Sequence, residues 1–406
     1  MTDIARGLEG IAVAETHLSH VDGERGELVI AGFPVEALAP QASYEEVLHL
    51  LWHGERPSGA DLEALRRDLA AQRALPAATR ALLEVAAASA VPAMDALRMG
   101  VATLSLADPE PAAATREAQR RRAVGVVARL PTLVATLARL RQGQRPVEPD
   151  AALGHVANYL YMLDGRRPEP AVVRALETYL NTVIDHGMNA STFAARVIVS
   201  TRSDMVSAIA GAVGALKGPL HGGAPGPALD MVFDIRARAR RSGQSLATAA
   251  EDWARETVTA GGRIMGFGHR VYKVRDPRAE VLGAEATRLF ERTGDTSLYE
   301  DARTVEAAAL RVLRALKPGR RLETNVEFYT ALLLHGVGLD PDLFTPTFAV
   351  GRVGGWTAHV LEQIADDRLI RPDAVYRGPR ARCWVPADPP QPVRGPVEWA
   401  PGMTAS

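Results

Sequence analysis

The stretch from Gly261 to Glu280, GGRIMGFGHRVYKVRDPRAE, reads as a ligand-handling loop, and the rest of the chain is interpreted outward from it. Gly261 and Gly262 can stop a preceding helix by taking a left-handed conformation, and Gly266 and Gly268 let a backbone approach a flat ligand closely. His269 follows directly. Asp276-Pro277-Arg278 is a helix start, with Asp276 as N-cap and Pro277 at the first helical position, so Arg278 stands on a first turn whose free N–H groups favour anions. A proton donor and an anion clamp therefore lie close in the chain. Taken singly, each of these residues also fits a solvated glycine-rich turn.

Around this loop the chain reads as helices. The segment to about residue 40 is the one extended part, with Glu27–Ala31 a strand candidate after the turn at Asp22-Gly23. Ser43-Tyr-Glu-Glu46 is a capping box ahead of Val47, Leu48, Leu50 and Leu51, closed by Gly54, and Ser58-Gly-Ala-Asp61 repeats the device. Helices are predicted over 61–73, 79–90, 94–107 and 112–142, the last kinked at Pro131, with a loop over 142–150. From Ala171 the apolar residues Val172, Val173, Leu176, Leu180, Val183 and Ile184 recur at helical spacing into Asp185-His186-Gly187. His186 thus falls in a break before a helix capped by Asn189 or Ser191. Its ring either points into that gap or bonds the last carbonyls of its own helix. A helix over 203–217 is rich in Ala and Gly, a surface suited to a dimer or domain seam.

His221 sits in the tight turn KGPLHGGAPGP (217–227) just before a helix over 226–241. The positive end of that helix disfavours imidazolium and suits a neutral ring that donates to a developing oxyanion. Helices over 246–260, 278–292 and 298–316 follow, broken at Gly294 and at Lys317-Pro-Gly-Arg320. Thr324-Asn325 caps a helix through Val337 and puts Glu327 in its first turn, where a carboxylate is favoured as the ion and can accept a proton. Thr345-Pro346 opens a helix to about Asp366 that carries Arg352.

Composition narrows the function. Lys plus Arg number 47 against 48 for Asp plus Glu, so no bulk charge draws the chain to nucleic acid or to an acidic membrane. The lone Cys383 excludes an internal disulfide framework and fits a reducing compartment. With no basic-then-apolar N-terminal segment and no apolar run approaching a spanning length, the expectation is a cytoplasmic protein. No His-Glu-x-x-His, phosphate loop or cysteine cluster points to a metal or nucleotide site. Three histidines in turns, one capped carboxylate and arginines beside glycines or helix starts are the parts of a carbanion site for a dicarboxylate. Abstracting a proton beside a carbonyl needs a base, a donor to the enol oxygen and cations for an anionic acceptor.

Six ordered motifs carry a resemblance: DHGMNASTFAARV (185–197), GPLHGGA (218–224), GFGHRVYKVRDPRA (266–279), NVEFY (325–329), FTPTFAVGRVGGW (344–356) and RPDAVYRGP (371–379). On these the chain resembles the compact bacterial and archaeal citrate synthases. The resemblance implies an all-α homodimer with a large helical domain (1–220 and 325–385) and a small mobile helical domain (221–324), beside the minor extended N-terminal segment and a Pro-rich tail (386–406) read from composition. It implies condensation of acetyl-CoA with oxaloacetate, without a metal or cofactor. His221 would bond the acetyl-CoA carbonyl as the enol forms, and His269 would protonate the oxaloacetate carbonyl. His186, Arg278, Arg352 and Arg371 would bind oxaloacetate, Arg371 from the other subunit. The backbone of Gly266, Phe267 and Gly268 would receive the adenine of coenzyme A, and Lys273 its phosphates.

One departure stands out. The family's catalytic base is an aspartate in Asn-Val-Asp, and here that position is Glu327. The extra methylene moves the carboxylate by roughly 1 Å, and misplacement on that scale can cost about 100-fold in rate. A 2-methylcitrate synthase, another acyl-CoA condensing enzyme, or a non-catalytic acyl-CoA-binding dimer are the alternatives.

Overall fold

The computed structural model describes residues 4–8, 10–107, 115–222, 225–269, 271–293 and 296–380. The expected Pro-rich tail, Cys383 and the break at Gly294 lie outside them. The described residues fall into two compact units, one running from Ala14 to Ile370 and one formed by the chain ends up to Val13 and from Arg371. The boundaries expected at 221 and 324 both lie inside the first. In the second, Gly7 takes a positive φ of 71° in a short turn, and the Tyr376 hydroxyl donates to the Pro379 carbonyl at 2.9 Å.

Among the described residues the larger unit is helical apart from an isolated bridge between Phe267 and Thr324 and one antiparallel meander, β1 (Ser19–Asp22), β2 (Glu27–Ile30) and β3 (Phe33–Pro34). The expected strand is its centre, with Leu28 and Ile30 turned into the core. Five helices follow: α1 (Val35–Leu38), α2 (Tyr44–His53), α3 (Gly59–Ala71), α4 (Ala77–Ala88) and α5 (Ala93–Ala102). Both expected capping boxes are formed, by Ser43 with Glu46 and by Ser58 with Asp61, each worth about 1 kcal/mol over an uncapped end.

Next comes α6 (Arg116–Arg141), one continuous helix through Pro131. By length and composition α6 could cross a membrane, against the expectation that no such run exists, but 83% of its apolar window is buried inside the protein, as in a core helix. A helix not anticipated from the sequence, α7 (His155–Asp164), is closed by Gly165 in the left-handed region.

Helices α8 (Pro170–Val183), α9 (Ala190–Ser200) and α10 (Met205–Leu216) then lead to α11 (Pro225–Ser242) and α12 (Leu246–Thr259). After the Gly261 loop come α13 (Pro277–Thr293), α14 (Ser297–Leu316), α15 (Val326–Gly336) and α16 (Phe344–Asp366). The last begins one residue before the expected cap. The Thr345 hydroxyl does not cap it but donates to the Gly222 carbonyl at 2.8 Å, tying α16 to the turn that carries His221.

Buried α16 is the central pillar, packed by α2, α6, α8, α9 and α10. Its glycines set how closely α8 can lie: a Cβ on Gly355 would stand 2.1 Å from the Ile184 carbonyl oxygen, and one on Gly351 would meet Val183 at 2.9 Å. Close helix approach puts the Arg352 Nε–H onto the Val183 carbonyl, and so brings a cation on one helix to the C-terminal end of the other.

Candidate active site

Three segments converge on one place: the break between α8 and α9, the loop between α12 and α13, and the first turn of α15. His186, from the first, and His269, from the second, meet edge to face with ring centroids 5.9 Å apart. Tyr272 completes the group, its hydroxyl 3.1 Å from His186 Nε2. Burial together with Arg278, Arg352 and His269 holds His186 well below the usual imidazole range, so it is neutral at physiological pH.

The loop that carries His269 is pinned to the start of α15. Gly268 N–H donates to the Glu323 carbonyl at 2.7 Å, Asn325 N–H to Gly266 at 3.0 Å, and the Asn325 side-chain amide to Gly268 at 2.7 Å. Gly266 and Gly268 take positive φ of 83° and 78°, and a Cβ on Gly266 would lie 2.9 Å from Phe328 Cβ. A Cβ on Gly268 would stand 2.8 Å from Leu322, so both glycines are required by packing whatever ligand approaches them, and most of their backbone hydrogen-bonding groups are occupied. The consequence is that His269 and Glu327 ride on one rigid assembly.

Asp276 extends that assembly. Its carboxylate accepts from Arg278 N–H, Nε and Nη2 at 3.0, 3.0 and 2.8 Å, and from Val326 N–H at 3.3 Å, so it serves the starts of α13 and α15 together. Arg278 and Asp276 are both buried. Arg352 is buried too, with its guanidinium 4.7 Å over the Phe348 ring, and burial pulls it down to about 10. It stays cationic at neutral pH, yet among the described residues no hydrogen bond occupies its Nη groups. A buried cation left partly unpaired is costly unless an anion meets it.

The ring protons follow from the hydrogen bonds. His269 Nδ1 accepts from the backbone N–H of Val271 and Tyr272 at 3.0 and 3.1 Å, so the neutral ring carries its proton on Nε2. Arg278 Nη2, which can only donate, also directs an N–H at that atom from 3.3 Å, so the Nε2–H tautomer requires the guanidinium to turn that N–H away. His221 Nε2 accepts from Ser191 N–H at 3.3 Å and faces the Ser191 hydroxyl at 2.8 Å, which leaves its proton on Nδ1. Ser191 is fixed in turn by Trp356 Nε1–H at 2.9 Å, while Asn189 takes the capping role. Desolvation lowers both rings to about 4, with Arg352 adding to the effect on His221 and Arg278 to that on His269. The expected neutrality of His221 therefore has burial and a nearby cation as causes.

Glu327 departs from the expectation as well. It does stand in the first turn of α15, where its N–H is capped by Asn325 at 3.0 Å. Burial, aided by Asp276 and opposed by Arg278 and Arg352, pushes its carboxyl up to about 7. A helix dipole is worth about 0.3–1 kcal/mol, whereas a shift of this size is roughly 3 kcal/mol, so desolvation wins. The result is a base poised near neutrality.

Lys273 is exposed on the same loop, its N–H bonded to the Gly23 carbonyl at 2.8 Å. Arg371 belongs to the unit of chain ends, where it is exposed and 3.9 Å from the Asp373 carboxylate. Sequence reasoning misses Tyr272 and the pairing of Ser191 with His221. Both lie inside the quoted motifs, but nothing in their spacing says which side chains face each other.

A family model for the citrate synthase C-terminal domain matches residues 7–373. A citrate synthase of Haloferax volcanii is 41% identical over 389 residues, 95% of this chain and 99% of that protein. A 2-methylcitrate synthase of Mycobacterium tuberculosis is 38% identical over 383 residues, 94% of this chain and 92% of its own. Among solved structures, citrate synthase of Pyrobaculum aerophilum superposes with a TM-score of 0.82 at 34% identity, covering 95% of both chains. The Thermoplasma acidophilum enzyme, in a ternary complex with carboxymethyl coenzyme A and oxaloacetate, gives 0.84 at 28%, covering 95% of this chain and 99% of that one. With the helical fold and the histidine, carboxylate and arginine cluster in place, this chain belongs to the citrate synthase family.

Proposed function

We propose that the protein condenses acetyl-CoA with oxaloacetate and hydrolyses the resulting citryl-CoA to citrate and coenzyme A. The observation that carries this reading is the convergence of a base near pH 7, Glu327, with two neutral ring donors and two buried arginines. Glu327 takes a proton from the acetyl methyl group while His221 Nδ1–H bonds the thioester oxygen, which lowers the cost of the enol. The enol carbon attacks the keto carbon of oxaloacetate, and His269 Nε2–H donates to the oxygen that gains charge. Arg278, Arg352 and His186 hold the oxaloacetate carboxylates and carbonyl. Water then cleaves the thioester.

The reading carries with it a cytoplasmic homodimer in which Arg371 of one subunit serves the other's site. Residues 221–324 act as a small domain closing over the large domain of 1–220 and 325–385. Coenzyme A lies along the Gly266–Gly268 loop, with Lys273 near its phosphates. Similarity to a 2-methylcitrate synthase keeps propionyl-CoA as a second acyl donor. One methylene in an apolar pocket discriminates by only about 1–3 kcal/mol.

Purified protein should release free thiol from acetyl-CoA only when oxaloacetate is present, and propionyl-CoA run in parallel ranks the acyl groups. Failure of every acyl-CoA with every 2-oxo acid tried would overturn the reading in favour of an acyl-CoA-binding protein.

A further inference from the structure

Helix α16 carries Arg352, Trp356 and His359 at i, i+4 and i+7, so the three share one face. Each holds a different piece of the break between α8 and α9. The Arg352 Nε–H bonds the Val183 carbonyl, and the Trp356 Nε1–H bonds the Ser191 hydroxyl that faces His221. His359 meets Asp185, both wholly removed from solvent. Its Nε2 stands 3.1 Å from Asp185 Oδ1, and its Nδ1 stands 3.1 Å from Arg196 Nη1. A guanidinium can only donate, so His359 Nδ1 accepts and the ring proton is on Nε2, where it donates to Asp185. Arg196 is buried and fixed in turn, by the Glu362 carboxylate at 2.6 Å and the Gln363 side chain at 2.9 Å. The tautomer of His359 is therefore set from behind, by a chain of bonds that starts at Glu362 and ends at Asp185.

Asp185 is the residue before His186, in the break where α8 has ended at Val183 and α9 has not begun. Backbone there has left the helical ladder, so side chains set its course. His186 is bracketed: Asp185 on one side is held by His359, and Gly187 on the other donates its N–H to the Ser19 hydroxyl at 3.0 Å. Packing leaves the break little room to shift, since a Cβ on Gly355 would stand 2.1 Å from the Ile184 carbonyl oxygen and 3.0 Å from Asp185 Oδ1. Burial favours a neutral Asp185, but His359, then Ser19 and Arg352, outweigh it and hold the carboxyl below its usual range. The bond from His359 thus ends on an ionised acceptor, the stronger kind. We infer that His359 is a positioning residue for oxaloacetate: by donating Nε2–H to Asp185 it fixes the break and with it the place of the His186 ring. This rests on the reading of His186 as an oxaloacetate ligand, as proposed above.

The test compares His359→Gln with His359→Asn in the full chain. The Gln amide reaches as far as Nε2 and can still donate to Asp185, whereas the Asn amide reaches only as far as Nδ1 and leaves Asp185 without that donor. Oxaloacetate binding is read by calorimetry with no acyl-CoA present, and thermal melting shows whether each variant folds. The Kd for oxaloacetate should rise about 10-fold or more in His359→Asn and less than about 3-fold in His359→Gln. The KM for acetyl-CoA at saturating oxaloacetate should stay within about 2-fold in both. Wild-type affinity in His359→Asn, or equal weakening in the two variants, overturns the inference. A loss of about 10-fold in His359→Gln overturns it whether or not the shorter variant folds. Wild-type protein that binds oxaloacetate but turns over no acyl-CoA would overturn the proposed reaction and leave this comparison standing. Wild-type protein that binds no oxaloacetate would overturn both.

Discussion

Asp276 grips Arg278 with both carboxylate oxygens, Oδ1 to Nε at 3.0 Å and Oδ2 to Nη2 at 2.8 Å, in a pair almost wholly removed from solvent. The same carboxylate accepts from Val326 N–H, so the grip also joins the anion clamp to the helix that bears Glu327.

Breaking this pair leaves a buried guanidinium uncompensated. Asp276→Asn should lower the unfolding free energy by about 3–5 kcal/mol, measured by chemical denaturation. Because Arg278 loses its orientation, the KM for oxaloacetate should rise at least 10-fold while that for acetyl-CoA changes little. Equal loss for both substrates would argue against a specific clamp.

Glu327 bears on rate and stability with opposite signs. Turnover should fall as pH drops below about 7, because only the ionised carboxylate accepts a proton. Glu327→Gln should leave less than about a tenth of kcat, and Glu327→Asp should lower kcat by about 10–100-fold through misplacement. Its folded value lies above the unfolded one, so burial of the ion destabilises the native state at high pH and that penalty fades as pH falls toward 4.5. Glu327→Gln should therefore be more stable than wild type at pH 8, by on the order of 1–3 kcal/mol, and no more stable near pH 4.5. Thermal melting at the two pH values checks it.

The two histidines run the other way. Their folded values near 4 lie below the ordinary 6.5, so each stabilises the native state above pH 6.5 and loses that contribution as pH falls toward 4. His269→Gln and His221→Gln should lose less stability than wild type between pH 7 and 5, a difference on the order of 1–2 kcal/mol each. Parallel melting curves for variant and wild type would count against burial as the cause.

If Arg371 serves the other subunit's site, as proposed above, Arg371→Ala and His269→Ala are complementary. Mixed after unfolding and refolding together, the two inactive chains should recover up to about a quarter of wild-type activity, since half of the dimers are hybrids and each hybrid has one intact site. No recovery from hybrids verified by mass would rule out sharing of Arg371 between subunits.

Much of this protein is legible in its sequence. Local chemistry sets the two capping boxes, the left-handed stops at Gly54 and Gly261, the cap at Asp276 and the helical spacing that ends at His186, because each depends on residues a few positions apart. Helix α7 escapes because its short apolar pattern is not flanked by a side-chain cap at its N-terminus. What only the tertiary structure decides is which groups face one another and how dry they are. The rise of Glu327 to about 7 and the fall of His221 and His269 to about 4 both come from desolvation by segments distant in the chain. A helix start read from sequence argues for an ionised Glu327 by a few tenths of a kcal/mol to about one. Closing α8, α13 and α16 around it reverses that preference, because removing a charge from water costs more than one helix end returns.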